Sequence, residues 1–215
     1  MTISEFPGII LASASPRRKE LLRQIGIEPA VFPADADENV GENDPAKLVE
    51  LLSERKARAV LDRIKAGGDL PEDVRSILSS GKPCVILGSD TVVALDGRIL
   101  GKPKSHGEAA EMIRMLSGRE HHVCTGVTLL KLAPPGDVAA DTFSVCTAVH
   151  VSCMDEDEII AYAESAEPMD KAGAYGIQGS FGRHIDRIDG DYNTVVGVPA
   201  AAVYNHIRRL FGCRN

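Results

Sequence analysis

Three consecutive basic residues, Arg17, Arg18 and Lys19, follow Ser15 and Pro16 directly after a short apolar run. Serine is a preferred helix N-cap and proline suits the first helical position, so the basic residues are expected in the first turn of a helix. Free N–H groups at a helix N-terminus attract phosphate, and arginine can bind two phosphate oxygens at once. Basic residues at this position otherwise oppose the helix dipole. The local pattern leaves two interpretations open, an anion site and a solvated basic turn.

A second candidate is the acid in the segment Gly-Ser-Asp-Thr, residues 88–91, which follows the apolar run Cys84–Leu87. We expect this segment where a buried strand ends, at the edge of a sheet. Burial or a metal ion there could adapt Asp90 to act as a base or as a ligand. A β-bulge or a turn capped by the same side chain is the alternative.

Three isolated lysines, Lys56, Lys102 and Lys171, could neutralise an anion, although each could equally be a surface residue. Lys102 follows the hairpin that comes after Asp90, so these two side chains are expected to face one site. The phosphate-binding pattern GxxxxGK[ST] is absent from the sequence.

Glycines recur at every third position of the segment DKAGAYGIQG, as Gly173, Gly176 and Gly179. This spacing permits positive φ angles and a close approach of the backbone to a ligand. Gln178 in the same segment has an amide that donates and accepts, as recognition of a base edge requires. The alternative is a flexible loop without a ligand, since the segment lacks the GxGxxG dinucleotide pattern.

Neither the cysteines nor the histidines form a metal-binding pattern. The five cysteines are odd in number, scattered and without a CxxC pair: Cys84, Cys124, Cys146, Cys153 and Cys213. This usage favours free thiols in a reducing compartment over a disulfide framework or a zinc site. The adjacent His121 and His122 are expected to point in opposite directions on a strand, and we assign them no site.

The elements that must position these residues mix helices and strands without strict alternation. Helices are predicted from Pro16 to Gly26 and, by apolar periodicity, over Pro45–Ala66, Gly107–Leu116, Asp155–Glu164 and Pro199–Leu210. Strands are predicted over Gly8–Ser13, Cys84–Leu87, Val123–Leu132, Phe143–Cys153 and Ile185–Ile188, with Asp96-Gly97 as a hairpin turn and Pro134–Asp141 as a loop. The predicted class is α/β, a mixed sheet flanked by helices rather than a doubly wound parallel fold.

The whole chain of 215 residues is interpreted as one domain, residues 1–215, with residues 67–82 as a peripheral insertion that contains a short helical piece. A net charge of −7 argues against a nucleic-acid polymer or an anionic membrane as partner. No apolar run approaches the roughly 20 residues of a membrane span, and no basic segment precedes Ile9 as in a signal peptide. We therefore expect a soluble, cytoplasmic protein.

Seven segments, in this order, resemble the Maf family of nucleoside triphosphate pyrophosphatases: ILASASPRRKELL, ERKA, LGSDTVV, GRILGKP, MLSGREHHVCTGV, EPMDKAGAYGIQG and DGDYNTVVGVP. The resemblance implies hydrolysis of the α–β phosphoanhydride bond of a nucleoside triphosphate with a divalent cation, Mg²⁺ or Mn²⁺. It also implies an elongated mixed α/β fold similar to the inosine-triphosphate pyrophosphatases, with two lobes around a central cleft. A homodimer is expected on the same ground.

The resemblance also assigns roles to single residues. Asp90 matches the proposed general base, and Glu38 matches an acid that would help Asp90 to hold a metal or to position water. The residues that match the phosphate end of the family's site are Ser13, Arg17, Arg18, Lys56, Lys102 and Lys171.

Three positions bear on nucleotide preference in this family, and they match Arg17, Thr91 and Gln178. This combination resembles the dTTP/UTP pyrophosphatase branch. A branch that acts on 7-methyl-GTP typically has tryptophan at the first position, and this chain contains none. The alternatives are a pyrophosphatase for 7-methyl-GTP or other modified nucleotides, and a nucleotide-binding regulator of cell division without turnover.

Overall fold

A seven-stranded mixed sheet forms the centre of the computed structural model, which describes residues 7–134 and 136–212. The strands are β1 (Gly8–Leu11), β2 (Ala30–Val31), β3 (Cys84–Leu95), β4 (Arg98–Leu100), β5 (Glu120–Ala133), β6 (Asp137–Val151) and β7 (Ile185–Asp189). Their order is β2-β1-β3-β5-β6-β7, with β4 paired to the end of β3. The pairs β1–β2 and β1–β3 are parallel and the others antiparallel. The prediction of a mixed sheet is confirmed.

Seven α-helices lie in the described part of the chain. They are α1 (Pro16–Gln24), α2 (Pro45–Lys65), α3 (Glu72–Ser79), α4 (His106–Leu116), α5 (Glu156–Ala163), α6 (Tyr192–Val196) and α7 (Ala200–Leu210). The five helices predicted from periodicity are confirmed, and α6 was not predicted. Short 3₁₀ turns occupy much of the segment 168–184. None of these helices is long and apolar enough to cross a membrane, among the residues described.

The helices pack on both faces of the sheet because side chains alternate along each strand. Ile9 and Leu11 of β1 face a core formed with α1 and α7, whereas Ile10 faces a core formed with α2 and α3. A third core unites α4, α5 and the 3₁₀ turns with the ends of β3, β5 and β6. Apolar side chains from these cores form part of the wall of a central cleft.

The strand predicted over Cys84–Leu87 does not end before Gly88, so the expectation that Asp90 follows a strand end was wrong. β3 continues through Asp90, which pairs with Gly126 of β5. On its other side, β1 pairs only with residues 84–87 and β4 only with residues 93–95. Among the strands described, residues 88–92 therefore have a neighbour on one side only, and the unpaired side opens into the cleft.

The segment 67–82 contains the short helix that the sequence predicted. Val74 of α3 is fully buried in the core that contains Ile10 and Ile86, so α3 contributes to the core. A side chain at Gly8 would press against Ile77 of the same helix. That this segment is an insertion, and that residues 1–215 form a single domain, both stay predictions.

The interpretation of all five cysteines as free thiols was wrong. Cys124 of β5 and Cys146 of β6 face each other across the two strands, 4.1 Å apart between Cα atoms, and form a disulfide. Sequence spacing could not predict this bond, because the pairing depends on the strand register. Cys84 is buried and Cys153 exposed, both as free thiols, while Cys213 lies outside the described residues.

The loop predicted over Pro134–Asp141 is shorter than expected, since β6 already begins at Asp137. The Asp96-Gly97 hairpin is confirmed, and both residues have the positive φ angles that such a turn requires (50° and 74°).

Candidate active site

A cleft of about 690 Å³ opens beside the unpaired stretch of β3. Nine of the ten residues that the sequence assigned to a site line this cleft: Arg17, Arg18, Glu38, Lys56, Asp90, Thr91, Lys102, Lys171 and Gln178. They come from β3, from helices α1 and α2, from the loop before α2 and from the segments after β4 and α5. The tenth, Ser13, does not line the cleft but is hydrogen-bonded to Arg18, which does.

The acidic end of the cleft is built around Lys56. Its Nζ contacts Oδ1 of Asp90 and lies 2.8 Å from Oε1 of Glu38. The side chains of Lys56 and Asp90 are only 16% and 14% exposed, whereas that of Glu38 is 66% exposed. The hydrogen bond from Lys56 lowers the pKa of Glu38, against the smaller opposing effect of burial. Two carboxylates thus converge on a single cation position.

Helix α2 presents Lys56 because it packs directly on the backbone of the sheet. A side chain at Gly88 of β3 would overlap the carbonyl oxygen of Ser53, and one at Gly126 of β5 would overlap that of Val49. Ser53 Oγ is also hydrogen-bonded to Thr128 Oγ1 at 2.9 Å. Two glycines on neighbouring strands therefore set the distance between α2 and Asp90.

Arg18 is held by hydrogen bonds at all three guanidinium nitrogens. Nη1 donates to Ser13 Oγ (3.0 Å), Nε to the Gly197 carbonyl (3.2 Å) and Nη2 to Thr91 Oγ1 (3.4 Å). Burial is the main cause that lowers its pKa, partly offset by the charge of Asp90. Since two N–H groups of the five remain for other acceptors, the guanidinium can still bind an anion in the cleft. Ser13 acts through Arg18.

The neighbouring basic residues have different surroundings. Arg17 Nη1 lies 3.3 Å from Oδ2 of Asp170, and Nζ of Lys171 lies 2.5 Å from Oδ1 of the same carboxylate. Asp170 therefore forms ion pairs with two of the predicted substrate-binding cations, and it was missed by the sequence analysis. Lys19 lies 3.9 Å from Glu28 and does not line the cleft.

The three positions predicted to set nucleotide preference line the same cleft. Thr91 Oγ1 is 2.9 Å from Oγ1 of Thr125, which in turn donates to the carbonyl of Thr194 at 2.7 Å. Gln178 is exposed on the glycine-containing segment, and Arg17 lies at the start of α1.

The glycines of the segment DKAGAYGIQG allow close contacts within the chain itself. Gly173 has a positive φ of 67° and packs on Val93, whereas a side chain at Gly176 would press against Lys171. A side chain at Gly179 would overlap the carboxylate of Glu167. Glu167 also lines the cleft and was missed, because nothing in its sequence position indicates that a loop folds around it.

Lys102 lies on the segment after β4. The adjacent Gly101 carbonyl accepts a hydrogen bond from the amide of Gly173 at 3.0 Å, which joins this segment to the glycine-containing segment. The charge of Lys102 contributes to the lowered pKa of Glu38. Lys102 and Asp90 therefore line one cleft, as the sequence predicted.

The fold and the cleft define an α/β protein with a cleft lined by both basic and acidic side chains. The family model described as "Maf-like protein" matches residues 8–210, and the chain belongs to the Maf family. A dTTP/UTP pyrophosphatase from Agathobacter rectalis is 46% identical over 94% of this chain and 97% of that protein. The dTTP/UTP pyrophosphatase of Lachnoclostridium phytofermentans is 42% identical over 94% of each chain.

Among solved structures, a nucleoside-triphosphatase (dITP/XTP pyrophosphatase) from Mycobacterium abscessus aligns over 96% of this chain and 97% of its own. The alignment has a TM-score of 0.36 and 14% sequence identity.

Proposed function

We propose that the protein is a nucleoside triphosphate pyrophosphatase that converts dTTP and UTP to the monophosphate and pyrophosphate. The observation that carries the proposal is the convergence of Asp90, Lys56 and Glu38 with further cations in one cleft. The preference for pyrimidine nucleotides is supported by Arg17, Thr91 and Gln178 in that cleft, and by the activity for which the relatives are named.

In the proposed reaction, water attacks the α-phosphorus and passes a proton to Asp90. The new bond joins the water oxygen to the α-phosphorus, while the bond to the oxygen bridging the α- and β-phosphorus breaks and pyrophosphate leaves. Arg18, Lys102 and Lys171 stabilise the negative charge of the triphosphate and of the leaving group. Lys56 fixes the position of the Asp90 carboxylate.

A divalent cation, Mg²⁺ or Mn²⁺, fits the residues present. Glu38 and Asp90 supply carboxylate oxygens, the ligands that these ions prefer, and both line the same end of the cleft beside Lys56. When bound there, the ion would neutralise phosphate charge and polarise the scissile group.

We further propose a homodimer, on the family resemblance. The net charge and the sequence pattern support a location in the cytoplasm, with neither nucleic-acid polymer nor membrane as partner. Light scattering coupled to size-exclusion chromatography measures the oligomeric state. In a reducing cytoplasm the disulfide Cys124–Cys146 would be exposed to cellular thiols, which keep most cysteine pairs reduced.

A screen of pyrophosphate release tests the function. The purified protein is incubated with each standard nucleoside triphosphate, with 7-methyl-GTP and with methylated pyrimidine triphosphates, in Mg²⁺ or Mn²⁺. We expect the highest kcat/KM for dTTP and UTP. A higher value for 7-methyl-GTP would support the modified-nucleotide alternative, and binding without any release would support the regulatory one.

Replacement of Asp90, the proposed general base, is the most direct single-residue test of the mechanism. We expect Asp90→Asn to lower kcat for dTTP by at least about a hundredfold, since general-base catalysis contributes about 10²–10⁴-fold. The affinity for dTTP, measured by isothermal titration, should largely persist. Asp96→Asn, an isosteric change in the hairpin turn where asparagine tolerates the positive φ, is the control. Full activity of Asp90→Asn would refute the mechanism.

A further inference from the structure

The carboxylate of Glu167 is surrounded by donors from the segments that line the cleft. Its Oε2 accepts hydrogen bonds from the amide and the hydroxyl of Ser180, at 2.9 and 2.8 Å. Its Oε1 accepts a hydrogen bond from the hydroxyl of Tyr162 at 3.0 Å. The backbone carbonyl of Glu167 accepts a further bond from Nζ of Lys171 at 2.6 Å.

These bonds hold the segment that carries Gln178 from both sides. Ser180 follows Gln178 by two residues and is bound directly to the carboxylate. Gly176 precedes it by two residues, and its amide donates to the Tyr162 hydroxyl at 3.3 Å, which in turn donates to Glu167. Gly179 must be glycine because the carboxylate occupies the space that its side chain would need. The chain is thus folded around this carboxylate.

The bonding of Glu167 differs from that of the two acids at the other end of the cleft. Asp90 and Glu38 each contact the Lys56 ammonium, which a competing cation could replace. Glu167 instead accepts bonds from neutral groups of its own chain. Burial raises its pKa, but the hydrogen bonds from Ser180 and Tyr162 outweigh burial and the pKa is lowered. Both of its oxygens therefore accept hydrogen bonds from the chain itself.

We propose that Glu167 is a positioning residue for nucleotide recognition, which holds Gln178 where its amide meets the base. This inference rests on the proposed function. Lys171 is held by the backbone carbonyl rather than by the carboxylate, so a change of the side chain alone should disturb the base end of the site and spare the phosphate end.

The test is Glu167→Gln, which keeps the shape of the side chain and replaces one acceptor oxygen by a donor. We expect KM for dTTP to rise about tenfold, the effect of one lost charge-assisted hydrogen bond. The inhibition constant of inorganic tripolyphosphate, which has no base, should stay within about twofold of the wild-type value. Glu164→Gln, at an exposed residue three positions earlier, is the control. It should leave both the KM for dTTP and the inhibition constant of tripolyphosphate unchanged.

A double-mutant cycle with Gln178→Ala separates positioning from general damage. If Glu167 acts through Gln178, Glu167→Gln should add little to the KM of the Gln178→Ala variant. The same tenfold rise in both backgrounds, or a parallel weakening of tripolyphosphate inhibition, would overturn the inference. Should Glu167→Gln not fold, Ser180→Ala removes a single bond to Glu167; an unchanged KM for dTTP in that variant would also overturn it.

Different results would refute the proposed function and the role of Glu167. If the wild-type protein releases no pyrophosphate from dTTP or UTP, the proposed function itself is wrong. If the wild-type protein is active and Glu167→Gln binds dTTP as tightly as the wild type, only the inference about Glu167 is wrong.

Discussion

Arg17 and Arg18 show how two identical neighbouring side chains acquire different roles. Arg18 is tied to three separate parts of the chain through Ser13, Thr91 and the Gly197 carbonyl. Arg17 has an ion pair with Asp170, and its side chain is 35% exposed. Arg18 therefore joins strand and helix segments around the cleft, whereas Arg17 can exchange its partner when a substrate arrives.

This difference predicts that the same substitution affects stability at Arg18 but not at Arg17. Lysine cannot reproduce the forked donors of Arg18, so Arg18→Lys should lower both kcat/KM for dTTP and the free energy of unfolding, the latter by about 1–3 kcal/mol. Arg17→Lys is the matched control, and it should lower kcat/KM with little change in stability. Urea unfolding and steady-state kinetics measure the two effects. Equal stability of both variants would contradict the structural role of Arg18.

The residue types of the site could be predicted from the sequence, but the contacts among them could not. Nine predicted residues line the cleft, although their roles stay predictions. Ser13 was expected to line the phosphate end, and the structure places it behind Arg18. Asp170 and Glu167 were missed because an acid bonded to its own chain leaves no pattern in a sequence.

At the scale of elements, the contact between α2 and the sheet determines the geometry of the acidic end. Gly88 and Gly126 allow the helix backbone to approach the strands closely, which brings Lys56 against Asp90. A bulkier residue at either position would lift the helix from the sheet and separate the pair.

We therefore expect Gly126→Ala to lower the free energy of unfolding by about 1–3 kcal/mol, the typical cost of overpacking. The same variant should lower kcat for dTTP, because Lys56 moves away from Asp90. Gly68→Ala is the matched control, since a side chain at Gly68 meets nothing within 4 Å. Thermal unfolding and pyrophosphate release measure both effects. Wild-type stability and activity in Gly126→Ala would show that the helix is not fixed by this contact.

Element types followed from sequence patterns where the elements are long. Helix α2 was predicted within one residue of its observed end, because its apolar residues repeat over many turns. Helix α6 spans only five residues, too few to show a periodicity. The continuation of β3 through Asp90 depends on its pairing with β5, a strand that lies beyond helix α4 in the chain, so the local sequence pattern did not show it.

At the scale of the whole molecule, two side-chain contacts link β5 to other segments of the chain. The disulfide Cys124–Cys146 links β5 to β6, and a closed loop of this length stabilises a fold by about 3 kcal/mol in the chain-entropy account. A second long-range contact joins His121 of β5 to Tyr175 of the glycine-containing segment, with 2.7 Å between Nε2 and the hydroxyl oxygen.

The contact between His121 and Tyr175 depends on pH, because the imidazole of His121 can be protonated. The imidazole is 1% exposed, and burial, with smaller contributions from His122 and His150, lowers its pKa from 6.5 to about 4. Nδ1 has no hydrogen-bond partner among the described residues. The folded protein therefore favours the neutral imidazole, and protonation of His121 lowers the free energy of unfolding.

The sign of the pH dependence follows from linkage. Between pH 6.5 and about 4 the unfolded chain binds a proton at His121 that the folded chain does not, so the stabilisation is complete above pH 6.5 and is lost as the pH falls towards 4. The loss attributable to this residue is about 3 kcal/mol. Urea unfolding from pH 4 to pH 7.5 should show a shallower decline for His121→Leu than for the wild type. His122→Asn removes an exposed neighbour that contributes only a smaller part of the shift, so it should change the slope little. Equal slopes in all three proteins would exclude His121 as the titrating group.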